Sequence, residues 1–254
     1  MNRFYLQTPL SGDVLQTIVS LNKEESYHAC KVLRLKENQS VEIADGINRY
    51  SGTIVECKAD ETTVKLLELL PSTETQAKLV LWQGLPKGDK LEWIIQKATE
   101  LGVYEIWPVA MQRSVSKIDK AEKAQKKGER YQRIALEASK QSGRCVVPTV
   151  EKIVDLQTAL KRCKDFDAIF IAWEEEKTVL LSQAVKNCNL INLESPKILL
   201  IIGPEGGISA SEKDAISTSL LNKAVAVSLG KRILRTETAG ISAISALWAL
   251  LNEL

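Results

Sequence analysis

Histidine is nearly absent: the chain of 254 residues holds one, His28. A Ser-His-Asp or Cys-His hydrolase needs an imidazole beside its nucleophile, and no Gly-x-Ser-x-Gly elbow occurs either, so those chemistries drop out. The five cysteines (30, 57, 145, 163 and 188) are odd in number, scattered, and contain no Cys-x-x-Cys. That pattern argues against a disulfide framework or a zinc site and fits the reduced thiols of a cytoplasmic protein. No apolar run approaches the length of a membrane span, and Met1 to Leu10 lacks a signal-peptide pattern, so no membrane partner is expected. What remains is an ordinary globular composition, 44% hydrophobic and 26% charged, with length for one large domain or a small one plus a medium one.

Residues 1–70 read differently from the rest. Short β-type runs occur at Ser40–Ala44, Ile47–Cys57 and Thr62–Leu69, with Asp45-Gly46 as a hairpin signal between the first two. A short helix is predicted over Lys23–Val32. Eight basic against ten acidic side chains make this module slightly acidic, not a strongly basic nucleic-acid binder. Pro71 to Gln76 breaks the pattern and is the predicted linker. Beyond it, strand-like runs (Lys78–Trp82, Glu105–Val109, Ala168–Trp173, Ile198–Ile202, Ala224–Leu229) alternate with helical ones (Lys90–Leu101, Glu122–Lys140, Leu156–Cys163, Thr178–Asn187). Such alternation predicts an α/β domain over 71–254 with a parallel sheet.

The second domain is organised around Ile198–Ser209. An unbroken apolar run, Ile198–Ile202, suits a strand covered on both faces and stops at Gly203-Pro204-Glu205-Gly206-Gly207. Ser209 and Glu212 have capping-box spacing, so a helix is expected from Ala210. The turn is neither Gly-x-Gly-x-x-Gly nor a Walker loop. Pro204 offers no N–H to an anion, and Glu205 adds negative charge where a phosphate would sit. A neutral or cationic ligand fits better. A second strand, Ala224–Leu229, leads into Gly230-Lys231-Arg232-Ile233-Leu234-Arg235-Thr236-Glu237-Thr238-Ala239 and a helix apolar nearly all round, either buried or pressed against a partner subunit. Between the two halves, Met111–Arg144 carries ten lysines and arginines against four acids, a solvated helix face or a phosphate-contacting stretch.

Ile202-Gly203-Pro204-Glu205-Gly206-Gly207-Ile208-Ser209 together with Ser228-Leu229-Gly230 and Ile233-Leu234-Arg235-Thr236-Glu237-Thr238-Ala239 resembles the SPOUT-class methyltransferases. Within that class the chain is similar to the family that methylates N3 of a uridine in small-subunit (16S) ribosomal RNA. Lys87-Gly88-Asp89-Lys90, Gln96 through Val103, and Glu137-Ala138 through Arg144 fit the same family, as do His28 and Val32-Leu33-Arg34. Ribose 2′-O methyltransferases of the class share the glycine turn but carry Ser-Leu-Asn-Val where this chain has Ser-Leu-Gly-Lys. The resemblance implies a trefoil knot in the C-terminal domain, a PUA-like N-terminal barrel and a homodimer acting on 16S ribosomal RNA, as free RNA or in the small ribosomal subunit. It implies S-adenosyl-L-methionine as cofactor, held by Ile202, Gly203, Glu205, Gly207, Leu229 and Gly230, with Ile233 and Leu234 as an apolar wall. Arg235 would stabilise charge on the uracil oxygens, and Glu237, a backbone carbonyl or water would take the proton. Arg34, Arg113 and Arg144 are the expected RNA contacts. Two other readings stay open at this level: a 2′-O ribose methyltransferase and a non-catalytic RNA-binding assembly protein.

Overall fold

The computed structural model describes residues 1–115, 121–220 and 223–254, which form two compact units. Unit 1 comprises residues 1–74 together with 139–147. Its strands are β1 (Asn2–Tyr5), β2 (Ile18–Ser20), β3 (Ser40–Ala44), β4 (Arg49–Cys57) and β5 (Thr62–Leu70); α1 (Lys23–Tyr27) runs on into a π-helical turn, His28–Val32. The strands form one sheet in the order β1-β3-β4-β5-β2. Asp45 makes the β3–β4 turn as its sequence suggests: its carboxylate accepts the N–H groups of Ile47 and Asn48 at 2.9 and 2.7 Å, and Gly46 takes φ +88°. Alternate side chains of the sheet, among them Phe4, Val41, Ile43, Ile54, Val64 and Leu66, point inward and build a core. The expected barrel is not closed. The edge strands β1 and β2 have only four and three residues and are not hydrogen-bonded to each other.

Unit 1 also takes a segment that the sequence pattern assigned to the second domain. Glu74 accepts hydrogen bonds from Arg144 (Nη2, 2.6 Å) and from the backbone N–H groups of Cys145 and Val146 (2.7 and 3.1 Å). The Tyr5 hydroxyl donates to the Arg144 carbonyl at 2.6 Å, and burial raises its pKa. Arg144 is 4% exposed, so this ion pair sits out of water.

Unit 2 comprises residues 75–138 and 148–254. In chain order it contains β6 (Lys78–Gly84), α2 (Lys90–Glu100), β7 (Glu105–Ala110), α3 (Ala121–Ser142, whose last residues count with unit 1), β8 (Thr149–Val150), β9 (Val154–Asp155) and α4 (Leu156–Leu160). There follow β10 (Ala168–Ala172), α5 (Leu181–Asn187), β11 (Lys197–Ile202), α6 (Ala210–Ser219), β12 (Ala224–Val227) and α7 (Thr236–Leu251). The sheet runs β12-β10-β11-β6-β7-β8, with β9 also on β7, and every pairing is parallel. β6, β10 and β11 are buried on both faces, which explains their unbroken apolar runs. Gly102, at φ +86°, ends α2, with the Val103 N–H returning to the Ala98 carbonyl at 3.1 Å. The apolar α7 packs on α2 and α5 and buries Ala243, Ile244, Leu247, Trp248 and Leu251 within its own unit. Trp248 Nε1 donates to the Leu101 carbonyl. Among the described residues no helix is long and apolar enough to cross a membrane.

Removing one member of a buried ion pair leaves the other charge stranded. Glu74→Ala is therefore expected to destabilise the protein by about 3–5 kcal/mol, read by denaturant unfolding.

Candidate functional site

The carboxyl ends of β6, β11, β10 and β12 lie side by side, and close backbone packing fixes them. A Cβ on Gly84, the last residue of β6, would stand 2.6 Å from Pro204 N and Cδ. One on Gly203 would stand 2.8 Å from Ile208 Cγ1. Glycine is needed at both places because two backbones approach too closely for any side chain. Beneath them, fully buried Gln83 donates from Nε2 to Thr236 Oγ1 at 2.8 Å, and Thr236 Oγ1 donates to the Gly203 carbonyl at 2.6 Å. Gln83 Oε1 has no partner among the described residues. The end of β6, the turn after β11 and the start of α7 are thus tied together.

Above this clamp lies a cavity of about 510 Å³. One wall is the turn Ile202 to Gly207, stabilised by the Gly207 N–H donating to the Pro204 carbonyl at 2.9 Å. Ser209 caps α6 behind it in a reciprocal box with Glu212. The facing wall is Ser228 to Thr236. It is anchored by the Ser228 N–H to the Val179 carbonyl (2.8 Å) and the Leu181 N–H to the Ser228 carbonyl (3.2 Å). Gly230 turns at φ +113°, a conformation that side chains resist, with open space where a Cβ would be. The third side, Ala172 to Glu174 with Lys177, comes from the end of β10.

The structure brings Ile202, Gly203, Glu205, Gly207, Leu229, Gly230, Ile233, Leu234 and Arg235 around this one cavity. Three of the expected residues have surroundings that the sequence did not show. Glu205 is not a free anion facing a ligand: it accepts from the Lys87 N–H (3.1 Å) and Lys90 Nζ (2.9 Å). Burial works to raise its pKa, but the Lys90 and Lys87 hydrogen bonds outweigh that and lower it; the same bond raises Lys90. Ile233 is 84% exposed and forms no closed wall; Leu234 is half-buried. Glu237 does not line the cavity. Its buried Oε2 lies 3.4 Å from Lys90 Nζ and accepts no hydrogen bond among the described residues.

Arg235 is exposed at the start of α7, and its guanidinium has no partner among the described residues. Arg113 donates to the Gly206 carbonyl at 2.8 Å. Arg34 is exposed in unit 1, in a left-handed conformation at φ +53°. Arg144 is not available as expected: it is buried and neutralised by Glu74, so a phosphate would have to displace that carboxylate. Part of the basic stretch Met111–Arg144, residues 116–120, lies outside the described residues. Sequence reasoning gave no role to Gln83, Lys90, Trp173, Glu174, Ser228 or Thr236. Lys90 and Thr236 stood inside quoted motifs, whereas Glu174 was hidden in a run of three acids that reads as solvated surface.

Comparison with known proteins supplies a context for this cavity. An RNA methyltransferase domain model matches residues 73–248. The chain is 35% identical to the ribosomal RNA small subunit methyltransferase E of Bacillus subtilis, covering 97% of this chain and 96% of that one. It is 30% identical to the protein of the same name from Rickettsia conorii, over 96% and 93% of the two chains. Among solved structures it is similar to a ribosomal RNA small subunit methyltransferase E from Neisseria gonorrhoeae bound to S-adenosyl methionine, at TM-score 0.81, 30% identity and 98% coverage of both chains.

Gly207 has φ +72°, and a side chain there would collide with the Glu174 carboxylate. Gly207→Ala should lower stability by about 1–3 kcal/mol, visible as a reduced thermal midpoint. The Lys90–Glu205 pair contributes stability above the ordinary glutamate range and loses it as pH falls through the lowered Glu205 value. On the lysine side the contribution is present below the ordinary lysine range and lost as pH rises through the raised value. The difference in thermal midpoint between the unaltered protein and Lys90→Met should therefore stay constant from about pH 6 to about pH 9 and shrink below about pH 4.

Proposed function

The chain belongs to the ribosomal RNA small subunit methyltransferase E family, and from that footing we propose that its cavity binds S-adenosylmethionine and delivers the methyl group to N3 of a uridine in 16S ribosomal RNA. The chain is an S-adenosylmethionine-dependent methyltransferase of ribosomal RNA; the choice of uridine N3 is the finer part of the reading. The observation that carries it is the convergence of two glycine-bearing turns, Gly203–Gly207 and Leu229–Gly230, on opposite walls of one cavity. The lining fits such a cofactor. Backbone groups and the open face of Gly230 can read a flat nucleoside, and a small-molecule site usually combines such surfaces with few polar anchors. Pro204 offers no N–H to an anion at this turn, and the Glu174 carboxylate in the lining opposes a phosphate.

When bound, the cofactor supplies an electrophilic methyl carbon. The protein's part is to hold the uracil edge in line with it, which replaces a bimolecular encounter by an effectively intramolecular one. Loss of the N3 proton places negative charge on the uracil oxygens. Arg235, exposed at the cavity rim and unpaired among the described residues, is the group positioned to stabilise that charge. The proton passes to water; Glu237, held beside Lys90, positions Lys90 against the glycine turn. A uridine N3 is occupied in a Watson–Crick pair, so the target base must be single-stranded or extruded. Arg113 and Arg34 are the candidates for RNA contact, and Arg144 is withdrawn from that role. We further read unit 1 as a PUA-like RNA-holding module, unit 2 as a SPOUT domain with a trefoil knot, and the functional species as a cytoplasmic homodimer acting on the small ribosomal subunit. Support for the knot is the buried start of α7, tied by Thr236 to the ends of β6 and β11.

Isothermal calorimetry with S-adenosylmethionine, and labelled methyl incorporation into under-modified small subunits followed by nucleoside mapping, test this function. A 2′-O-methyl product or no incorporation would overturn it. Arg235→Ala should keep cofactor affinity within a few-fold and abolish methyl transfer; normal turnover in that variant would remove Arg235 from the chemistry.

A further inference from the structure

The three acids after β10 do different things. Glu176 serves its own loop: its carboxylate accepts the Thr178 O–H and N–H (2.6 and 2.7 Å) and the Val179 N–H (3.0 Å), and those bonds, Thr178 first, pull its pKa down to about 2. Glu175 is exposed in the same loop. Glu174 lines the cavity, half-buried, and its carboxylate accepts no hydrogen bond among the described residues. Two cations stand near it: Arg113 Nη1 lies 3.9 Å from its Oε1, and Lys177 Nζ donates to the Glu174 backbone carbonyl. It packs against Gly207, where any side chain would collide with it, so the turn leaves room for this carboxylate.

A half-buried carboxylate with no hydrogen-bond donor on either oxygen has acceptor capacity to fill. Arg113 already stands beside it, so a second cation would enter against a like charge, whereas neutral hydroxyl groups would not. Two acceptor oxygens also match two adjacent hydroxyls, and an acid near the carboxyl edge of a parallel sheet holds a nucleoside ribose in other α/β folds. Resting on the reading of the cavity as an S-adenosylmethionine site, the geometry points to Glu174 as a binding residue whose carboxylate accepts hydrogen bonds from both ribose hydroxyls of the cofactor. The run Trp173-Glu174 at the end of β10 then becomes a third cofactor-reading segment beside the two glycine turns.

The test uses the full-length protein and three ligands in calorimetry: S-adenosylmethionine, 5′-methylthioadenosine, which keeps the ribose but lacks the amino-acid tail, and the 2′,3′-dideoxy form of methylthioadenosine. The unaltered protein should prefer the diol over its dideoxy form by about ten- to a hundred-fold, as expected for hydrogen bonds to a charged acceptor. Glu174→Ala should erase that preference and weaken S-adenosylmethionine by a similar factor. Glu174→Gln, which keeps shape and packing, should retain only part of it. Equal weakening of diol and dideoxy ligands would mean that Glu174 acts only by supporting Gly207 and would overturn the assignment. Weakening of S-adenosylmethionine alone would shift Glu174 to the ammonium of the tail and also overturn it. If the unaltered protein bound none of the three, the cofactor reading of the cavity itself would fall; binding without diol preference would sink the Glu174 assignment alone.

Discussion

The fold of the second unit depends on one crowded place, where Gly84 at the end of β6 meets Pro204 with no room for a side chain between them. A second constraint sits directly below: Gln83, Thr236 and the Gly203 carbonyl share hydrogen bonds out of water. Because a buried polar group left unpaired costs more than the bond gains, these contacts are made together or not at all. They join three segments far apart in sequence and so set the distance between the glycine turns. The cavity is what remains when those backbones cannot come closer. Its precision comes from packed strand ends rather than from loops, which suits a reaction whose catalysis is mostly positioning.

Charge is arranged around the cavity in matched pieces. Glu205 is balanced by Lys90 and the Lys87 N–H, and Glu237 shares the same ammonium. Arg113 braces the Gly206 carbonyl and stands near Glu174. Arg235, exposed at the rim, has no side-chain partner among the described residues. The internal bonds of Lys90 and Arg113 tie the glycine turn to the segments on either side of it.

Much of this was legible in the sequence because the informative signals were local. The unbroken apolar run Ile198–Ile202 marked β11 as covered on both faces, the helical run Lys90–Leu101 marked α2, and Ser209 with Glu212 marked the start of α6. The two glycine turns could be paired only through a family resemblance; their spacing contains nothing that brings them together. What the sequence could not show shares a cause: the surroundings of a charged side chain depend on partners distant in the chain. Arg144 looked like a phosphate ligand and is held by Glu74, seventy positions away. Glu205 looked like a bare anion, and Lys90 neutralises it. Short strands such as β1 and β2 carry too little pattern to be read, and with them went the knowledge that the N-terminal sheet stays open.

The Glu74 clamp makes the first unit discontinuous, since residues 139–147 complete it only after the intervening chain has entered the other unit. During synthesis the N-terminal sheet must therefore wait for Arg144 to emerge before its last buried charge is neutralised. A chain severed at the apparent linker would leave Glu74 without its guanidinium and Tyr5 without its carbonyl. The two units are thus interleaved in biogenesis: the first to be started cannot be finished until residues 75–138 of the second have been made.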